Sequence, residues 1–285
     1  MIKINGIVLS VKEYPNGESR LECNSINDML KKENVINISL RYESDKDLMH
    51  LWFLKRHIED TAEWGIDVNL IICYMPYSRM DRVENSGFAF TLKYIVEFIN
   101  GLGFNNIYIW EPHSDVTKQL FDYEETMAIV KMIDMTQIIF NKAIDDKKLE
   151  CDIVCFPDKG AQKRYASMFP DYKHCYFDKK RDFNTGKITE MTYHGEENLN
   201  GAKVCIVDDL CSRGGTFVWA AEELRKHGAS EVNLVVTHAE NTIYDGDVFK
   251  GAINKVICTD SILTKIPVNS QNLIVYKNLE EEKNV

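Results

Sequence analysis

The sequence predicts an α/β protein of two domains, each a mainly parallel sheet flanked by helices. Short valine- and isoleucine-rich runs, too apolar to alternate, fit strands buried on both faces. Between them lie longer stretches with apolar residues at helical spacing. The 285 residues exceed one typical domain and suit two of similar size.

In chain order, NLIICYM (69–75) and NIYIW (106–110) are expected strands, with TLKYIVEFINGLG (91–103) as the helix between them. After the acidic segment FDYEETMA (121–128) come strand DIVCFP (152–157), helix AQKRYASMF (161–169), strand AKVCIVDD (202–209), helix TFVWAAEELRKHG (216–228), and strands EVNLVVTH (231–238) and NKVICTD (254–260). The glycines closing the first and last of these helical stretches stand where helices stop. This is the alternation of doubly wound domains. The acidic segment divides the chain into residues 1–124 and 125–285, and the charged end NLEEEKNV (278–285) reads as solvated.

Hydrophobic residues make up 45% and charged residues 27% of the chain, the balance of a globular protein. Asp and Glu number 44 against 34 Lys and Arg, a net charge of −10, which argues against nucleic acid or an anionic membrane as partner. An anionic small-molecule substrate therefore needs a local basic pocket. The N-terminal MIKINGIVLSVKEY has no signal-peptide core, and no 18-residue apolar run follows, so a cytoplasmic location is expected. The eight cysteines are scattered without a CxxC pair and read as small hydrophobes.

The most informative segment is KVCIVDDLCSRGGTFVWAAEEL (203–224): a buried strand, two carboxylates, a glycine turn, a helix. Gly214 and Gly215 let the backbone approach an anion, and the N-terminus of the helix starting near Thr216 adds a favourable partial charge. Arg213 brings a fork of donors suited to phosphate oxygens. Asp208 and Asp209, at a strand's carboxyl end, suit paired sugar hydroxyls or a metal; a structural turn pair is the other reading.

At these residues the chain resembles the ribose-phosphate diphosphokinases (PRPP synthetases), whose phosphoribosyl loop has the form DDxxDTGGT; here it is DDLCSRGGT (208–216). YPNGE (14–18) is similar to the family's FxDGE loop, YMPYSRMDR (74–82) to YxxYxRQDR, and EPHSDVTKQLF (111–121) to DxHxxQxxxFF. FPDKGAQKRY (156–165) is similar to SPDxGGxxRA, and DKKR (178–181) to DKRR. Six segments in the family's order are far more specific than any one.

The resemblance implies two phosphoribosyltransferase-type (type I) domains with the active site between them. It implies Mg²⁺-dependent transfer of diphosphate from ATP, the co-substrate, to the 1-hydroxyl of ribose 5-phosphate. Asp208, Asp209 and residues Ser212, Arg213, Gly214, Gly215 and Thr216 would hold the ribose phosphate. His113 and Asp158 match the metal-contacting histidine and aspartate, and His113 also meets ATP. Lys179 and Arg181 match the basic residues of a mobile catalytic loop, which fits the polar, turn-rich KKRDFNTGKITEM (179–191). Arg79 and its neighbour Met80 would lie beside the adenine, with Tyr14, Asn16 and Glu18 reaching it from a second subunit, so a homo-oligomer, dimer or hexamer, is implied. Without the resemblance, Arg79 and Arg82 also read as ion-paired residues of a strand-to-helix junction, Lys179 and Arg181 as a solvated charge run, and His113 as structural.

Three departures stand out. Met80 and Asn16 replace a glutamine and an aspartate of the base-binding segments. Ser212 and Arg213 replace the acid and first threonine of DTGGT, raising the local charge by about two units and favouring a phosphate that bears a further substituent, as in ADP-ribose. The chain is also expected to lack the strand and helix that precede FxDGE in the family. Two competing readings are a phosphoribosyltransferase, for which the ATP-side segments have no use, and a catalytically silent partner subunit, against which the presence of His113, Asp158, Lys179 and Arg181 argues.

Overall fold

The structure, a computed structural model, describes the chain except residues 63–64, 84, 124–125, 182–187, 269–270 and 282–285, and the side chains of 180–181, 188–191 and 281. It divides into two compact units, Met1–Ile133 with Asn278–Val285, and Asp134–Lys277.

In the first unit, β1 (Ile2–Ile4) and β2 (Ile7–Val8) precede a separate hairpin of β3 (Ser10–Glu13) and β4 (Ser19–Glu22). Then α1 (Asn24–Leu30), β5 (Val35–Leu40), α2 (Asp45–Thr61), β6 (Asp67–Ile72), α3 (Thr91–Asn100), β7 (Asn106–Trp110), α4 (Val116–Tyr123) and β8 (Ile129–Ile133) alternate. The sheet runs β2-β1-β5-β6-β7-β8, parallel from β5 to β8 and antiparallel where β1 meets β2 and β5. Ile36, Ile38, Leu70, Ile72, Ile107 and Ile109 bury fully or nearly so against apolar faces of the helices, as with Leu51 and Leu54 of α2 and Val96 and Ile99 of α3.

The second unit contains α5 (Met135–Asp145), β9 (Ile153–Phe156), α6 (Lys159–Tyr165), β10 (Lys173–Arg181), β11 (Ile188–His194), β12 (Lys203–Cys211), α7 (Gly215–Lys226), β13 (Glu231–Ala239), β14 (Lys255–Thr259) and β15 (Leu273–Tyr276). Its sheet runs β11-β10-β9-β12-β13-β14-β15, parallel except for the edge pair β10–β11. Val204, Cys205, Ile206 and Val207 in β12 are completely buried, as a central parallel strand covered on both faces requires. Among the described residues no helix is long and apolar enough to cross a membrane.

Three sequence expectations need correction. The charged end is not solvated at its root: Leu279 is buried, and the Glu280 carboxylate, 2% exposed, pairs with Lys3 Nζ at 3.1 Å and Arg41 Nη2 at 2.5 Å. Lys3 and Arg41 also donate to Asn278 Oδ1 at 2.8 and 3.1 Å. Partners more than 230 residues away leave no local signature, and they return this segment to the first unit. Strand β1 does precede the YPNGE loop; its Ile2 and Ile4 are buried. Finally, Lys179 lies on a strand, with Met191 of β11 opposite it, because Cys175 and Phe177 alternate inward and seat β10 on the core.

Candidate active site

In the second unit β9 pairs in parallel with β10 on one side and β12 on the other. The chain winds away from β9 in both directions, and beyond the carboxyl ends of such strands an open α/β sheet leaves a crevice. The ends of β9, β10 and β12 carry Asp158, Lys179 and the twin aspartates.

Asp158 caps α6: its extended backbone (φ −161°) lets Oδ1 accept from the Ala161 amide at 2.9 Å. Its other oxygen accepts from Lys179 Nζ at 3.0 Å, and the lysine side chain is only 9% exposed. Burial works to raise the Asp158 pKa, but the Ala161 amide and the Lys179 ammonium outweigh it and hold the group below its ordinary value. Lys159 pairs with Asp178 in turn. The two pairs cross between the start of α6 and the end of β10.

Asp208 is half-buried and Asp209 buried. Asp208 Oδ1 accepts from the Asp209 amide at 2.9 Å. Burial, then the charges of Asp209 and Asp158, push the Asp208 pKa well above the ordinary carboxylate range. A cation or a pair of hydroxyl donors would relieve that repulsion.

Past the aspartates, Gly214 takes φ +73° as the N-cap of α7, and no side chain caps the helix. A Cβ there would stand 2.0 Å from Val248 Cγ2, whereas one on Gly215 would meet nothing within 4 Å. Gly214 is therefore required by conformation and packing together, and Gly215 leaves room before the uncapped helix start, where amides point outward. Thr216 is half-buried and Arg213 exposed. Ser212 Oγ lies 2.9 Å from Thr242 Oγ1, a hydroxyl link where a family member would carry an acid. Burial and the charges of Asp208 and Glu240 push the Cys211 thiol up to about 12, so this cysteine is structural.

In the first unit the neighbouring parallel strands β6 and β7 lead into Arg79 with Met80, and into His113. All three are exposed. Between β6 and Arg79, Tyr77 (φ +60°) donates its hydroxyl to Asp45 Oδ1 at 2.8 Å, an oxygen that also accepts from Tyr42 at 2.6 Å, which ties this turn to α2. His113 follows Glu111, 1% exposed at φ +38°. A buried acid in a strained backbone state marks a held position, and EPHS offered only a glutamate near the histidine as a sign of it. The hairpin tip is exposed; Asn16 Nδ2 donates to Glu18 Oε2 at 2.8 Å, Asn16 Oδ1 accepts from the Glu18 amide at 3.2 Å, and Tyr14 is 40% exposed. Lys46 of α2 pairs with Glu13 at 2.8 Å and anchors the hairpin. Arg82 pairs with Asp81 at 3.4 Å but is 77% exposed.

The predicted residues thus gather in two sets, Arg79, Met80 and His113 in one unit, and Asp158, Lys179 and residues 208–216 in the other. The Arg181 side chain and residues 182–187 lie outside the described residues. No group of three His, Cys, Asp or Glu that could hold a metal occurs among the described residues. Magnesium fits such a sparse set, since it keeps waters and phosphate oxygens and takes one or two protein ligands; the Asp158 side chain is 38% exposed.

A phosphoribosyl transferase domain model matches residues 123–256. The chain is 31% identical over 257 residues to the ribose-phosphate pyrophosphokinase of Sulfolobus acidocaldarius, covering 88% of this chain and 83% of that one. It is 30% identical over 270 residues to the ribose-phosphate pyrophosphokinase of Pyrococcus abyssi, covering 92% and 87%. Among solved structures, phosphoribosylpyrophosphate synthetase from Mycobacterium smegmatis matches 95% of this chain and 86% of its own with a TM-score of 0.72 at 18% identity, a likeness of fold. By its likeness to these two enzymes over most of their length, the chain belongs to the ribose-phosphate pyrophosphokinase family and is a diphosphotransferase of that type.

Proposed function

We propose that the enzyme transfers the β,γ-diphosphoryl group of ATP to the 1-hydroxyl of ribose 5-phosphate, giving the sugar 1-diphosphate and AMP. The observation that carries this reading is the convergence of Asp158, Lys179, Asp208, Asp209 and the glycine loop on three adjacent strand ends. The amides of Gly215 and Thr216, with Ser212 and Arg213, hold the 5-phosphate. Asp208 and Asp209 accept hydrogen bonds from the ribose hydroxyls and fix the 1-hydroxyl. Lys179 and Arg181 place positive charge on the diphosphate as the bond to the α-phosphate breaks, the preorganised electrostatics on which phosphoryl transfer depends. Asp158 in the second unit and, separately, His113 in the first are the candidate Mg²⁺ ligands, and the metal would neutralise phosphate charge when bound. Arg79 and Met80, with Tyr14, Asn16 and Glu18 of a second subunit, form the adenine site, so the working enzyme is a homo-oligomer.

Lys179 has to leave Asp158 before it can serve the diphosphate. Lys179→Ala is expected to lower kcat on the order of 100- to 1,000-fold, the size of one key donor, without unfolding the protein. AMP release from ATP is the assay, and an unchanged rate refutes the role. Arg213, together with the space beside it, favours a second acceptor class: ribose 5-phosphate whose phosphate carries a further group.

A further inference from the structure

Beside the glycine loop lies a cleft of about 380 Å³. One wall is a single face of α7: Gly215, Val218, Trp219 and Glu222 recur at helical spacing. The other is the bend Asp245–Gly246–Asp247, with Arg213 at the end where the loop begins. The bend rests on the loop itself. A Cβ on Gly246 would stand 1.9 Å from the Arg213 carbonyl oxygen, and one on Gly214 would meet Val248. Two glycines, one on each side, thus make the cleft continuous with the loop proposed to grip the 5-phosphate.

A phosphate monoester ends in that loop and has no use for the space beyond. The cleft is large enough to matter, within the roughly 300–1,000 Å³ of small-molecule sites. Its lining also defines what fits. Arg213 is a fixed fork of donors suited to a second phosphate. Trp219 is half-buried, one side set against Phe177 at 5.6 Å between ring centroids, which leaves a rigid aromatic edge at the cleft for a base. Glu222, Asp245 and Asp247, all exposed, repel further phosphates but accept hydrogen bonds from sugar hydroxyls; Lys250, 2.5 Å from Asp247, offsets part of their charge. Cation, aromatic and acceptors in this order match a phosphate followed by a nucleoside.

We infer that this cleft binds a nucleoside monophosphate group joined to the acceptor's 5-phosphate, so that the enzyme diphosphorylates the free anomeric hydroxyl of a nucleoside diphosphoribose. The inference rests on the diphosphoryl transfer proposed above and names its acceptor class. The oxygen of the ribose 1-hydroxyl bonds to the β-phosphorus of ATP, the bond from that phosphorus to the α-phosphate oxygen breaks, AMP leaves with that oxygen, and the hydroxyl proton goes to solvent. The pyrophosphate link between the acceptor's own phosphates stays intact.

The test measures AMP release from ATP and magnesium with ADP-ribose or ribose 5-phosphate as acceptor, with products weighed by mass spectrometry. Saturable AMP release with ADP-ribose, and a product heavier than it by one diphosphoryl group, is the expected result. Trp219→Ala and Asp245→Ala should each raise KM for ADP-ribose, Trp219→Ala roughly tenfold as for loss of one base stack, while leaving ribose 5-phosphate kinetics unchanged. Trp219→Phe, which keeps the packing on Phe177, should restore part of the loss. Activity with ribose 5-phosphate and none with ADP-ribose overturns the inference and leaves the diphosphoryl transfer standing. Equal effects of the variants on both acceptors, or inhibition of ribose 5-phosphate turnover by added AMP that Trp219→Ala abolishes while ADP-ribose stays inert, overturns the acceptor assignment. No AMP with either acceptor removes the proposed function as well.

Discussion

The glycine loop proposed to grip the 5-phosphate, with the aspartates before it, concentrates its demands on two residues. Gly214 combines a left-handed backbone with a Cβ position already filled by Val248. Gly214→Ala is therefore expected to cost at least ~2 kcal/mol of stability in urea denaturation and to weaken acceptor binding with it; a stable variant with unchanged KM would contradict this. Asp208 makes the opposite demand. Its pKa is raised in the fold, so its contribution is most favourable below the unfolded value of about 3.9 and is lost as pH rises through the folded value. Asp208→Asn should accordingly raise the melting temperature of the ligand-free protein at neutral pH, the gain shrinking as the pH falls toward 4, while activity drops. A variant less stable than the parent at pH 7 would show that the carboxylate is not repelled. Such residues were legible in the sequence because chemistry and spacing coincide in DDLCSRGGT. Glu111 was not, since its burial and backbone strain leave no mark on composition.

At the scale of elements, paired contacts hold the functional segments. The crossed pairs Asp158–Lys179 and Lys159–Asp178 link α6 to β10. Lys159 is 61% exposed, so Lys159→Ala should leave the melting temperature alone and lower kcat by about fivefold at most; a change in KM for ATP alone would assign Lys159 to binding instead. The returning segment at 278–280 is buried. Glu280→Ala removes a buried carboxylate that pairs with both Lys3 and Arg41 and should cost about 3–5 kcal/mol, read by chemical denaturation, where a loss under ~1 kcal/mol would equate the pair with a surface contact. The apolar runs announced six of the strands, β6, β7, β9, β12, β13 and β14, but not β5 in the middle of the first sheet. They did not announce β1, whose three residues IKI are too short to show a period, or the β10–β11 hairpin, whose polar edge strand reads as a loop.

At the scale of the whole molecule, the net charge of −10 contrasts with the cations that phosphates need, so the proposed roles of Lys179, Arg181 and Arg213 are local exceptions in an acidic chain. The proposed base site draws Tyr14 and Glu18 from another subunit. Mixing and reannealing Glu18→Ala and Lys179→Ala proteins, each inactive alone, should then restore activity to about a quarter of the sites in a random dimer. No recovery would place the hairpin in its own subunit's site. The family was legible because six motifs persist in sequence; the cleft beside Arg213 was not, because Gly246 and Trp219 reach it from separate parts of the chain. The most direct measurement follows all phosphorus from ATP, with magnesium and a phosphorylated ribose, by ³¹P NMR. The account predicts AMP and a sugar 1-diphosphate in equal amounts, and formation of ADP or inorganic phosphate without AMP would contradict it.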